Sequence, residues 1–182
     1  MRRQQNGDIQ TKAEGNPNLA AFRLMLQTLL ADRFQMHLHR ESRSESVYRL
    51  TVARNGPKLK AAEPCAGEPT ADNPCGGFAM DIRGLARGRN VSMSQVTLSL
   101  SRIFMRVVID ETGLTGAYDI DLSWLPDQNT FPTLELPPNS ALAPDAPNIF
   151  TAIEEQLGLR LESGRAPVDV IVIDRAERPS EN

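Results

Sequence analysis

The densest group of potential metal ligands in this chain is acidic. Asp110 and Glu111 precede the turn Thr112-Gly113-Leu114-Thr115-Gly116, and Asp119 and Asp121 follow it. Hard cations such as Ca²⁺ are bound by carboxylate and carbonyl oxygens, and the two turn glycines could fold Asp110 back toward Asp119. A cation held there with an open coordination position would polarise an ester or lactone carbonyl and generate hydroxide. No other hydrolytic route can be built from these residues. The spacing is not that of an EF-hand and no calcium repeat is present, so solvated carboxylates on a strand face are the simpler expectation. A second candidate is His37-Leu38-His39. Alternate strand positions point the same way, about 7 Å apart at the backbone, so the pair could hold a metal if carboxylates completed the site. Exposed strand histidines among Arg40, Glu41 and Arg43 are the plainer alternative.

The two cysteines, Cys65 and Cys75, lie in the stretch EPCAGEPTADNPCGG. Two lone cysteines make a poor zinc site, and the histidines are distant in sequence. A loop-closing disulfide formed in an oxidising compartment is expected instead. Closing such a loop would stabilise the fold by roughly 2–3 kcal/mol in the chain-entropy model. No serine sits in a G-x-S-x-G elbow; Ser92 and Ser163-Gly164 lack the flanking glycines. The glycines of ARGRN and TGLTG are isolated turns, not a phosphate-binding loop or a dinucleotide fingerprint. Trp124 reads as packing.

The elements that would position these residues recur as an α-β-β pattern. Helix-like AAFRLMLQTLLADRF leads to QMHLHRES and SVYRLTVA; SMSQVTLSLSRIF leads to RVVID and YDIDLSW; NIFTAIEEQLG leads to LRLES and VDVIVIDRAE. Each unit has one apolar helix stripe and a half-buried strand pair, so it must pack on a neighbour. In the first helix Asn16 is the expected N-cap with Pro17 at the first helical position, and Phe22, Leu26, Leu29 and Leu30 form the stripe. Ser92 or Ser94 caps the second helix, whose inner face is Val96, Leu100, Ile103 and Phe104. Tyr118, Ile120, Leu122 and Trp124 line one face of a strand and leave Asp119 and Asp121 on the other. Asn148 caps the third helix, with Ile153 and Leu157 inward and Gly158 at its end. VDVIVI is apolar on both faces and is expected to be central in its sheet.

With 182 residues the chain can form one large domain or two small ones. The expected organisation is α+β: an N-terminal α-β-β subdomain over 1–60, a Cys-containing loop over 61–77, a second subdomain over 78–176 and a tail over 177–182. Helices should pack on a mixed or antiparallel sheet in each subdomain. The stretch 125–147 is proline-rich and almost without periodicity, which marks it as an insertion. A net charge of −3 argues against a nucleic-acid partner. No apolar run reaches the roughly 18 residues of a membrane helix. The N-terminal MRRQQNGDIQTKAEG has no apolar core and does not read as a secretory signal.

The segments LMLQTLLADRF with HRE, VYRLTVARNGPKL, VIDETGLTGAYDIDLSW, FTAIEEQLGLRLE and VDVIVIDRAERPSEN together resemble an uncharacterised bacterial family, the "soil-associated proteins". Members of that family usually begin with a signal peptide and a further N-terminal segment. The resemblance therefore implies a truncated or internally started frame, an extracytoplasmic origin, and GDIQTKAEG as the strand that follows the missing segment. It transfers no catalytic residue. The part from Phe78 to Ala176 is more distantly similar to the short N-terminal domains of secretins and TonB-dependent receptors, which are β-α-β-β-α-β modules that bind protein partners. The resulting expectation is a periplasmic or secreted binding module of unknown protein or small-molecule partner. It would self-associate through an uncovered N-terminal face. The competing expectation is a small Ca²⁺-dependent ester or lactone hydrolase.

Overall fold

The computed structural model describes residues 15–65, 75–127 and 145–178. In chain order the elements are α1 (Leu19–Phe34), β1 (His37–Val52), β2 (Lys60–Ala61), β3 (Gly77–Asp81), β4 (Leu85–Ser92), α2 (Met93–Phe104), β5 (Val108–Asp110), β6 (Ala117–Ser123), α3 (Ile149–Ala152) with a π-type turn over Ile153–Leu157, and β7 (Leu159–Arg175). They form a three-stranded sheet of order β5-β1-β7 and a four-stranded sheet of order β2-β6-β4-β3. The fold is α+β, as the mixture of helical and strand-like periodicities predicts. Nearly all of GDIQTKAEG, most of the stretch 125–147 and the last residues of the tail lie outside the described residues.

Local chemistry explains the elements that frame the core. Ser92 caps α2, and its backbone N–H donates to the Gln95 side chain at 2.9 Å, one half of a capping box. Asn148 caps α3, its Oδ1 accepting from the N–H groups of Phe150 and Thr151 at 3.1 Å each. Gly158 ends the third helical segment at φ +64°. Ile120, Leu122 and Trp124 are buried with Val96, Leu100 and Ile153 in one cluster that also holds Leu50, Val91, Met93, Ile149 and Leu159. Tyr118 packs against it. Alternation along β6 thus turns its apolar set inward and leaves Asp121 exposed.

Several elements differ from the pattern. Where two strands are expected after α1, β1 is one strand of 16 residues. Where two are expected after the third helix, β7 is one strand of 17 residues. The linking stretch RSES in β1 has no glycine or proline to turn it, and β7 absorbs Gly164 and Pro167 without a break. Residues 78–176 do not form a single sheet. β5 pairs in parallel with β1, Tyr48 opposite Val108 and Leu50 opposite Asp110, whereas β6 pairs antiparallel with β4. The link 111–116 is longer than a tight two-residue hairpin, so β5 is free to bury Val108 beside Leu50 instead.

The pattern also misses β4, because Ala86 and Gly88 carry its inward face and contribute little hydrophobic signal. A Cβ at Gly88 would meet Val91 Cγ2 at 2.6 Å and Phe78 at 2.8 Å, so only glycine allows β3 and β4 to approach here. β7 borders β1 alone among the described strands and is therefore not central; Ile171 and Ile173 are exposed.

The chain divides into two compact units, Met1–Arg43 with Val168–Asn182, and Ser44–Pro167. The division falls inside β1 and β7 and not in the Cys-containing stretch 61–77. Every buried hydrophobic side chain among the described residues lies in the second unit. In the first unit α1 is capped by Asn18, whose Oδ1 accepts from Ala21 N–H at 2.9 Å, and not by Asn16. None of its 16 residues is buried, so Phe22 and Leu26 do not form a packed stripe.

Candidate functional site

The acidic residues are held apart by the divergence of β5 and β6. Asp110 closes its own turn: its Oδ1 accepts from the Thr112 N–H at 2.9 Å and from the Thr112 hydroxyl at 2.7 Å. Asp119 accepts from the backbone N–H of Asn90 at 3.1 Å. Asp121 pairs with Arg89 at 3.0 Å and lies 3.8 Å from Arg87, both on the outer face of β4. Glu111 lies 3.6 Å from Arg49. The charges that face these carboxylates are guanidinium groups and backbone dipoles. Such exposed pairs contribute about 0–1 kcal/mol each, so they order a face more than they stabilise it. Among the described residues no three His, Cys, Asp or Glu side chains gather as a group that could hold a metal ion. The turn glycines do not bring Asp110 to Asp119 and Asp121.

The histidines lie at the start of β1, both exposed. His39 Nδ1 is 2.9 Å from Asp174 Oδ2 on β7, and its Nε2 is 3.7 Å from Glu41. His37 takes no part in this contact. The Asp174 hydrogen bond and charge, with a smaller contribution from Glu41, raise the His39 pKa above its ordinary 6.5. Because the folded value is the higher one, the stabilisation by charged His39 is complete below the unfolded value and is lost as pH rises through the folded value. An NMR titration should therefore place the His39 midpoint above 6.5, and Asp174→Asn should return it toward that value. A midpoint unmoved by Asp174→Asn would mean that the pair does not form in solution.

Cys65 and Cys75 are disulfide-bonded, with Cα atoms 5.8 Å apart. Asn90 Nδ2 donates to Cys65 Sγ at 2.9 Å. Next to Cys75, the Gly76 N–H donates to the Arg89 carbonyl at 2.8 Å, and Gln95 Nε2 donates to the Gly76 carbonyl at 2.6 Å. The bridge is thereby fastened to the outer end of β4 and to the first turn of α2.

One open groove, about 390 Å³, lies between the third helical segment and β7 and is lined by Phe150, Thr151, Glu154, Arg160, Leu161 and Glu162. The Arg160 guanidinium is held by Glu154 at 3.2 Å with Glu162 at 3.7 Å. Thr151 is the only hydroxyl in the lining, and the two carboxylates there, Glu154 and Glu162, are both turned to Arg160. No serine hydroxyl among the described residues is hydrogen-bonded to a histidine; Ser92 Oγ instead contacts Ser94 Oγ at 2.8 Å. The groove walls combine the apolar side chains of Phe150 and Leu161 with the ion-paired cluster around Arg160. No helix among the described residues is long and apolar enough to cross a membrane.

Comparison with protein families gives one match, over residues 3–176, to a family described as "Protein of unknown function (DUF3738)". The chain belongs to this family. All the elements from Leu19 to Arg175 lie within the matched stretch, so both compact units are parts of the DUF3738 domain. Curated proteins and solved structures give no match. The features of this DUF3738 chain that periodicity misses are the Arg87, Arg89 and Asp121 face and the Asn90 contact to the disulfide. The alternation of Arg87 and Arg89 with Ala86 and Gly88 carries the signal for the first. Nothing in sequence announces the second.

Proposed function

We propose that this chain is an extracytoplasmic binding module, periplasmic or secreted, that engages a protein partner through α1. The observation that carries this reading is the exposure of the helix. Leu19 and Leu24 are each 64% exposed, and Phe22, Met25 and Leu26 are exposed as well. At 100° per residue these side chains spread around much of the helix, and a helix apolar on several sides is normally buried. Apolar surface left open in this way marks interfaces. The disulfide supports an oxidising compartment, as does the resemblance to the soil-associated proteins. From β4 onward the order strand, helix, strand, strand, helix, strand supports the distant likeness to the partner-binding domains of secretins and TonB-dependent receptors.

The partner this reading commits to first is a second copy. Sedimentation velocity should show concentration-dependent association of the wild-type chain. Phe22→Asp with Met25→Asp should abolish it and, at dilutions where the wild-type chain is monomeric, leave the melting temperature unchanged, because neither side chain is part of the core. Identical sedimentation of the two chains would overturn the reading. The competing proposal, a Ca²⁺-dependent ester or lactone hydrolase, has no converged ligand set behind it. Turnover of an ester or lactone that EDTA abolishes and Ca²⁺ restores would favour it.

A further inference from the structure

We propose that the Cys65–Cys75 disulfide is a redox latch on the edge strand β2, opened by a dithiol, and that opening it frees the neighbouring edge of β6. In the order β2-β6-β4-β3, strands β2 and β3 are the two edges. Cys65 follows β2 and Cys75 precedes β3, so the bridge joins one edge of the sheet to the other.

The two ends are anchored unequally. β2 contributes only the pairs Lys60–Asp119 and Ala61–Tyr118, with one further bond from the Ala62 N–H to the Ala117 carbonyl at 2.9 Å. Both β2 residues are exposed. On the other side, Gly76 is held by Arg89 and Gln95, and β3 pairs with β4 from Gly77–Arg89 to Asp81–Leu85. Segments with few buried contacts open at little free-energy cost. Cutting the bridge therefore releases the β2 side, downstream of the bond from the Lys58 N–H to the Leu157 carbonyl, and leaves the β3 side in place.

Asn90 sets the direction of the exchange. It lies at the bulge of β4 with φ +54°, and its amide donates to Cys65 Sγ. A donor at sulfur favours thiolate over thiol, which makes Cys65 the better leaving group. A thiolate of the dithiol attacks Cys75 Sγ, the Cys65–Cys75 bond breaks, and its electron pair departs on Cys65 Sγ against the Asn90 N–H. The second thiolate of the reductant then attacks its own sulfur in the mixed disulfide. This expels the Cys75 thiolate and leaves the reductant as an intramolecular disulfide. Two electrons pass to the protein, and the two protons of the dithiol pass to solvent or to the new thiolates. The exposed edge of β6 is then a template for an added strand.

Hydrogen exchange on the full chain, with and without dithiothreitol, tests the latch. Peptides covering 60–62 and 117–120 should exchange at least about tenfold faster after reduction, as for a locally opened segment. Peptides covering β3 and α2 should be unchanged. Cys65→Ser with Cys75→Ser should reproduce that pattern without reductant. Uniform acceleration across the sheet, or no change at all, would overturn the proposal, the first by showing a global staple. Asn90→Gly keeps the left-handed backbone and removes the amide, and it should slow reduction by roughly tenfold. An unaltered rate would overturn the role of Asn90 in directing the exchange.

Discussion

Replacing Trp124 by alanine is expected to cost about 3–5 kcal/mol of folding stability, the range for truncating a buried aromatic side chain. Trp124 is fully buried and stands in the cluster formed by both sheets and by α2 and α3. The site cannot readily collapse on the void, because its neighbours belong to different elements. The indole also carries a liability, since its Nε1–H is buried without a hydrogen-bond partner among the described residues. An orphan donor of that kind costs about 1–3 kcal/mol. Trp124→Phe removes it while keeping most of the ring, so its cost should stay within about 1–2 kcal/mol, as gain and lost volume offset. Urea unfolding of the three chains checks both figures. Equal losses for the phenylalanine and alanine variants would mean that the indole N–H is satisfied in solution.

Trp124 also shows how far the sequence could be read. Its alternation with Ile120 and Leu122 was enough to assign the inner face of β6, because strand periodicity depends only on residues two apart. The helix caps Ser92 and Asn148 are legible for the same reason: Asn148 satisfies the orphan N–H groups of Phe150 and Thr151, and the Ser92 N–H is satisfied by Gln95 three residues on. Partnership between strands is not local. Nothing in VVID says that it will lie beside Tyr48–Leu50 and not beside β6. The expectation that the turn folds Asp110 back toward Asp119 treats β5 and β6 as a hairpin, whereas β5 pairs with β1 and β6 with β4. The small inward residues of β4 left it with no hydrophobic signature. The apolar residues of α1 read as a buried stripe, yet burial depends on what packs against the helix.

The second large effect is expected at Gly158, where Gly158→Ala should cost about 2–5 kcal/mol. About 1–2 comes from the left-handed backbone and about 1–3 from overpacking. Gly158 has φ +64°, and a Cβ there would strike the Gly56 carbonyl oxygen and lie 2.8 Å from Lys58 N and 3.0 Å from Pro57 Cα. All three are backbone atoms of one turn and cannot rotate away as a side chain would. That turn is fastened to the end of the third helical segment by the bonds from the Lys58 N–H to the Leu157 carbonyl at 2.8 Å and from the Ala53 N–H to the Gly158 carbonyl at 2.9 Å. Shifting the turn to admit a methyl group would strain both bonds at once and disturb the chain just before β2. Gly113→Ala separates the two costs, because Gly113 has φ +69° with nothing within 4 Å of a Cβ. Its loss should be the backbone share alone, about 1–2 kcal/mol. Urea midpoints for the two variants measure the difference. If Gly158→Ala were no worse than Gly113→Ala, the turn at 55–58 would have to yield without cost, and the close approach of backbone to backbone would not be what requires glycine at the end of the helix.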